Sequence, residues 1–172
     1  MGRPILVFMG RTYRLQRSQR IERPLHEVFA FFADAANLQA ITPAFLGFKI
    51  LTPQPIAMRA GARIDYEISL LGIPMLWHTL ISTWEPNQCF VDEQITGPYA
   101  KWHHTHTFQA DGNATVVGDV VEYGMPLGVL GRVARALFVA RTLDKIFDYR
   151  AQATDRALEH GADTARASAR AR

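Results

Sequence analysis

Seven segments of the chain have the hydrophobic pattern of a β-strand, and one of them, residues 75–84, is apolar on both faces. The clearest is residues 62–71, where apolar residues at 64, 66, 68 and 70 face one way and polar residues face the other. The other segments are residues 13–22, 48–51, 75–84, 90–96, 102–109 and 114–123. Residues 111–113, Asp-Gly-Asn, are typical of a hairpin turn. The pattern predicts seven antiparallel strands.

The first of these segments has a polar centre on its apolar face. Tyr13, Leu15 and Ile21 share that face with Arg17 and Gln19. A strand with charged and polar residues on its inner face is typical of a sheet edge. We therefore predict that residues 13–22 form an edge strand.

Helical spacing replaces alternation in two regions. Residues 24–34 and 37–45 predict two short helices after the first strand, with Pro24 suited to a first helical turn. From residue 127 to 160, apolar residues recur at intervals of three or four, at Leu130, Val133, Leu137, Leu143, Ile146 and Phe147. They predict one long C-terminal helix that stops near Gly161. Such a helix, laid across a curved sheet, leaves space for a ligand.

Length and composition favour one globular domain in a reducing compartment. The chain has 172 residues, of which 48% are hydrophobic, and a single cysteine, Cys89. We predict an N-terminal extension over residues 1–10, a domain over 11–160 and a disordered basic tail over 161–172. No segment approaches the roughly 20 apolar residues of a membrane span. We expect a cytoplasmic protein.

The basic charge lies at the ends of the chain. Its net charge is +3, yet residues 21–160 carry 11 basic and 15 acidic side chains, which leaves −4. A body of that sign argues against nucleic acid as a partner. The basic ends are compatible with transient contact with an anionic membrane surface.

Residues 102–108, WHHTHTF, are the strongest candidates for chemistry. On a strand, one face receives Trp102, His104, His106 and Phe108. Two histidines spaced in this way can bind a metal if Asp119 or Glu122 supplies a third ligand. They can equally act as a general acid or base, as Glu67 and Asp92 could, or be polar points on an apolar wall. No phosphate loop or nucleophile elbow occurs, so we predict no cofactor. A His-x-His pair without fixed partners is a weak signal for a metal, so we predict no metal.

Several segments resemble the START/Bet v 1-like superfamily. Residues 24–38, PLHEVFAFFADAANL, resemble its first helix and the exit from it. Residues 97–99 and 102–108, followed by Asp119, Val121, Tyr123, Pro126 and residues 130–131, are similar to a bacterial polyketide cyclase/dehydrase-like, ligand-binding branch. The resemblance covers about residues 13–160. It implies an α+β helix-grip fold, in which a curved seven-stranded antiparallel sheet wraps around a long C-terminal helix and encloses a deep apolar cavity.

The superfamily includes lipid carriers, hormone receptors and aromatase/cyclases, so the resemblance does not select one activity. We predict binding of a small hydrophobic molecule, such as a lipid, an isoprenoid or a polyketide-like aromatic. The predicted ligand-binding residues are Ile64, Tyr66, Ile68, Trp102, His104, His106, Phe108, Tyr123, Leu130, Val133, Leu137 and Phe138. The alternatives are a cyclase or dehydratase that uses a cavity histidine as a general acid or base, and a protein-interaction module. A homodimer is compatible with the sequence.

Overall fold

The computed structural model describes residues 10–70 and 72–170, with side chains of the last helix described as far as Glu159. In this part of the chain, seven strands form one antiparallel sheet. They are β1 Thr12–Ile21, β2 Lys49–Ile50, β3 Arg63–Leu70, β4 Ile73–Glu85, β5 Cys89–Thr96, β6 Lys101–Asp111 and β7 Ala114–Gly124. The order in the sheet is β1-β7-β6-β5-β4-β3-β2, which confirms the first strand as an edge.

The helices are α1 Leu25–Phe32, α2 Ala36–Ala40, α3 Gly128–Ala134 and α4 Ala140–Arg170. A short 3-10 turn spans Ala44–Leu46, and a π-helical turn, Arg135–Val139, joins α3 to α4. The predicted α+β helix-grip fold is confirmed. Among the described residues, no helix has the length and apolarity needed to cross a membrane.

Two predicted boundaries concern the chain ends. Helix α4 continues beyond Gly161, where the sequence predicts a stop. Residues 1–9 and 171–172 lie outside the described residues. The division at residues 11 and 160 therefore stays a prediction.

Helix α1 closes one end of the sheet with an aromatic core. The ring of Phe29 lies 5.1 Å from that of Phe108 and 5.4 Å from that of Trp84, and Phe90 and Val117 complete the cluster. Burying such large rings supplies much of the local stability. Phe108 is thus part of this packed core.

Polar and apolar contacts together hold α4 against the sheet. The polar centre of β1 faces α4, where Arg17 forms an ion pair with Asp144. In the same part of the helix, Leu143 and Phe147 pack against Val121 and Tyr123. The inner face of β1 is therefore polar because it meets charged residues of α4 as well as lying at an edge.

Helix α3 turns its large apolar side chains outward. Gly131 is the buried residue of α3, and a Cβ there would overlap the carbonyl oxygen of Pro126. The side chains that the sequence pattern assigns to the cavity are instead 51–73% exposed: Leu130, Val133, Leu137 and Phe138. The pattern assumes one continuous α-helix, whereas the π-helical turn changes the helical phase between α3 and α4.

Candidate functional site

A cavity lies between α4 and the inner faces of β3 to β6, beside α1 and α2. It consists of two adjoining lobes of about 750 and 930 Å³, counting the solvent at their mouths. Six residues line both lobes: Leu38, Tyr66, Trp77, Trp102, His104 and Arg150. Concave sites with mostly apolar walls and a few polar groups are typical of small-molecule binding.

The structure brings half of the predicted ligand-binding residues to this cavity. Ile64 and His106 line the first lobe, Ile68 lines the second, and Tyr66, Trp102 and His104 line both. Phe108 does not line either lobe, because it packs under α1. Tyr123 is buried in the core beneath α4, where its hydroxyl accepts a hydrogen bond from Arg135.

Two histidines and two aspartates form a buried cluster on three neighbouring strands. Strand β6 carries His104 and His106, whose side chains share one face. The register of the sheet places Asp92 of β5 opposite His104, and Asp119 of β7 opposite His106. Cross-strand neighbours of this kind lie close enough to touch. We call these four residues the His–Asp cluster.

Each imidazole in the cluster lies between both carboxylates. His104 Nε2 is 2.7 Å from Asp119 Oδ1, and His104 Nδ1 is 3.3 Å from Asp92 Oδ2. His106 Nε2 is 2.9 Å from Asp92 Oδ2, and His106 Nδ1 is 3.0 Å from Asp119 Oδ1. This last nitrogen nevertheless makes no hydrogen bond. The centroids of the two rings lie 3.8 Å apart, with the ring planes tilted by 41°, and both rings are almost fully buried.

Charge pairing and hydrogen bonds within the cluster outweigh the effect of burial on the pKa values of its members. Burial by itself would raise the pKa of Asp92, but the charge of His104 and hydrogen bonds from both rings hold that pKa well below its usual range. The pKa of Asp119 is likewise lowered by hydrogen bonds from the two rings against the effect of burial. Burial would lower the pKa of His104, but the charge of Asp92 and the hydrogen bond to Asp119 raise it.

The cluster offers two kinds of chemistry. Its Asp92, His104 and His106 present ligand atoms within 4.8 Å of one another, which meets the distance requirement of a three-ligand cation site. The same residues are already held by hydrogen bonds between rings and carboxylates. Because Asp92 and both rings line the first lobe, they can exchange protons or hydrogen bonds with a bound molecule. Glu122 pairs with Lys101 instead and does not belong to the cluster.

Aromatic side chains form the wall next to the cluster. The rings of Tyr66 and Trp77 stack at 5.7 Å, and Trp102 meets Trp77 edge-on at 5.1 Å. The hydroxyl of Tyr66 accepts a hydrogen bond from Thr79, and burial raises the pKa of this phenol, so that it stays protonated. Tyr66 therefore remains a hydrogen-bond donor at neutral pH.

Two donors in the cavity wall have no partner among the described residues: Nε1 of Trp77 and Nε of Arg150 are buried and unbonded. Arg150 is not among the residues predicted from the sequence to bind a ligand. The spacing 143, 147, 150, 154 is the sequence pattern that could have indicated it, because it places an arginine on the apolar stripe of α4. Trp77 lies on β4, whose apolar residues occur on both faces, so alternation does not show which face is inward.

Comparison with known proteins supports this architecture. The family described as "Polyketide cyclase / dehydrase and lipid transport" matches residues 21–146. The fold resembles the Zhui aromatase/cyclase from Streptomyces sp. R1128, at 12% identity and a TM-score of 0.70 over 87% of this chain and 94% of that one. It also resembles a START superfamily protein from Mycobacterium smegmatis, at 14% identity and a TM-score of 0.63 over 86% of this chain and 97% of that one.

A plant protein shares the fold at lower identity. The major latex-like protein of Panax ginseng matches at 9% identity and a TM-score of 0.60, over 85% of this chain and 97% of that one. No curated protein matches the sequence. Because the family match extends over most of the described sheet and into α4, the chain belongs to the polyketide cyclase/dehydrase and lipid transport family.

Proposed function

We propose that the protein binds a small hydrophobic ligand, of the lipid, isoprenoid or polyketide-like aromatic class, in the cavity under α4. The observation that carries this proposal is the two-lobed cavity, with apolar and aromatic walls and one polar region at the His–Asp cluster. Burial of apolar surface would drive binding at about 25 cal/mol per Å², before the cost of ordering the ligand. The cluster would orient the polar end of the ligand.

The first test is to identify what the purified protein carries. Native mass spectrometry followed by organic extraction should release a stoichiometric apolar compound. A protein that is empty, and that also fails to bind a panel of lipids and aromatic polyketides, would contradict the proposal.

The role of His104 as a polar anchor predicts a selective loss of affinity. We expect His104→Ala to weaken the binding of 1-naphthol about tenfold or more and to change naphthalene binding much less, because hydrogen bonds to charged groups contribute about 1.5–3 kcal/mol. Isothermal titration calorimetry measures both ligands. His103→Ala is the matched control, as His103 lies next in β6 on the opposite face. Equal losses for both ligands would exclude the anchoring role.

A second candidate function is a cyclase- or dehydratase-type reaction. The His–Asp cluster favours it, because paired imidazoles and carboxylates beside a ligand cavity are the groups that move protons. Its test is a pH-dependent turnover of a polyketide substrate that disappears in His106→Ala while the circular dichroism spectrum is unchanged. A metal analysis of the same sample is the control, since a bound ion would occupy the same residues.

A further inference from the structure

We infer that the cavity selects a hydrophobic acid, with the carboxylate of the ligand bound by Arg150. This inference rests on the proposed function and specifies the chemical class of the ligand. It begins from the position of one side chain, because Arg150 of α4 lines both lobes of the cavity.

The guanidinium of Arg150 has no anionic partner among the described residues. Its Nε is buried and makes no hydrogen bond, and no carboxylate of the described side chains lies within 4 Å of its nitrogens. Its Cζ lies 5.5 Å from the centroid of the Phe32 ring. A contact with an aromatic face compensates for only part of the lost hydration of a cation.

The acids around the cavity are already engaged elsewhere. Asp92 and Asp119 are bonded to the two rings of the His–Asp cluster. Asp144 pairs with Arg17 on β1. Asp34 borders the first lobe, but it is exposed and accepts a hydrogen bond from a backbone N–H of α2. Asp148, which borders the opposite side of Arg150, lies 3.9 Å from Arg17. None of these acids pairs with Arg150, and the carboxylate of a bound molecule would supply the counter-charge.

A second buried group points to the same ligand chemistry. Trp77 is 6% exposed, lines both lobes, and its Nε1–H has no acceptor. Arg150 and Trp77 both donate hydrogen bonds and accept none. A carboxylate only accepts hydrogen bonds, so it satisfies both groups, whereas an ammonium satisfies neither and an alcohol provides no charge for Arg150.

The experiment compares ligands that differ only in the head group. Calorimetry at pH 7.5 would measure decanoate against decanol, and 1-naphthoate against 1-naphthalenemethanol. We expect each acid to bind the wild-type protein about tenfold or more tightly than its alcohol, because charge-assisted hydrogen bonds are the strong ones. In Arg150→Gln this preference should vanish, and Arg150→Lys should keep part of it because the charge remains.

A matched variant and a melting measurement separate recognition from folding. Arg141→Gln changes an exposed arginine of the same helix and should leave the preference for the acid intact. Without ligand, Arg150→Gln should melt no lower than wild type, because the partly buried charge that is removed has no carboxylate partner among the described side chains. Decanoate should raise the melting temperature of wild type and not that of Arg150→Gln.

The outcomes distinguish this inference from the proposal beneath it. Equal binding of acid and alcohol by wild type, or an acid preference that survives in Arg150→Gln, would overturn the role of Arg150 and leave the hydrophobic cavity standing. Failure of all four molecules to bind would overturn the proposed function, and this inference with it.

Discussion

At the scale of single residues, His104 shows how burial and charge interact in this protein. Its two ring nitrogens face Asp92 and Asp119. The other charged or titratable groups that line the same lobe are Asp34, Tyr66, His106 and Arg150. Removing one partner from such a buried set leaves the others uncompensated, which costs about 3–5 kcal/mol. Each member of the cluster is therefore needed to compensate the others, and together they give the cavity a polar region.

The stability that His104 contributes should depend on pH in a defined window. Its pKa is raised on folding, so its contribution is complete below the unfolded value of about 6.5 and is lost as pH rises through the folded value. The pKa values of Asp92 and Asp119 are lowered, so their contribution is present above about pH 3.9 and fades in stronger acid. The gap in unfolding free energy between wild type and His104→Gln should be largest between about pH 4 and 6.5.

Urea denaturation at several pH values measures this gap. His103→Gln is the control, because His103 lies on the other face of β6. Its one carboxylate neighbour, Glu93, is 3.7 Å away, and both side chains are half-exposed. Its effect on stability should be small at every pH. A gap for His104→Gln that grows from pH 6 to pH 9 would contradict the assigned direction of the shift.

The residues of the cluster were only partly predictable from the sequence. Alternation along β6 placed His104 and His106 on one face, and the structure confirms it. Asp92 remained ambiguous between cavity and solvent, because the neighbouring apolar residues Phe90 and Val91 lie on opposite faces of β5 and both are buried. Arg150 is not among the predicted ligand-binding residues, because a charged residue on an apolar stripe is usually assigned to the surface.

At the scale of elements, the strands were more predictable than the C-terminal helix. Each predicted strand lies within two residues of its observed ends, since alternation and turn residues are local signals. The helix is interrupted by the π-helical turn Arg135–Val139, which no local signal marks. Arg135 lies over the ring of Tyr13 and donates to the hydroxyl of Tyr123, so tertiary contacts hold this turn in place.

Two leucines, Leu137 in this turn and Leu143 in α4, give a direct test of the helical phase. Leu137 is 55% exposed and Leu143 is 3% exposed. We expect Leu143→Ala to lower the unfolding free energy by about 2–5 kcal/mol, and Leu137→Ala to change it by about 0.5 kcal/mol or less. Chemical denaturation of the two variants measures this. Similar losses for both would mean that α3 and α4 form one continuous amphipathic helix, as the sequence pattern predicts.

At the scale of the whole molecule, the resemblance of the sequence to a known superfamily predicts the architecture but not the selectivity of the cavity for its ligand. The seven-stranded sheet, the C-terminal helix and the apolar cavity follow from an order of elements that many family members share. The chemistry of the cavity depends on how α4 is rotated against the sheet. That rotation brings Arg150 inward and leaves Phe138 exposed, and it results from packing between residues far apart in sequence.

The three tryptophans are distributed so that the protein contains its own optical reporter. Trp77 and Trp102 touch each other in the cavity wall, whereas Trp84 packs with Phe29 and Phe90 and lines neither lobe. Any molecule entering the cavity replaces water beside two indoles and leaves the third unchanged. Tryptophan emission should therefore shift in colour and intensity on filling of the cavity, and a Trp84→Phe protein would follow occupancy in real time, without a label and with little background.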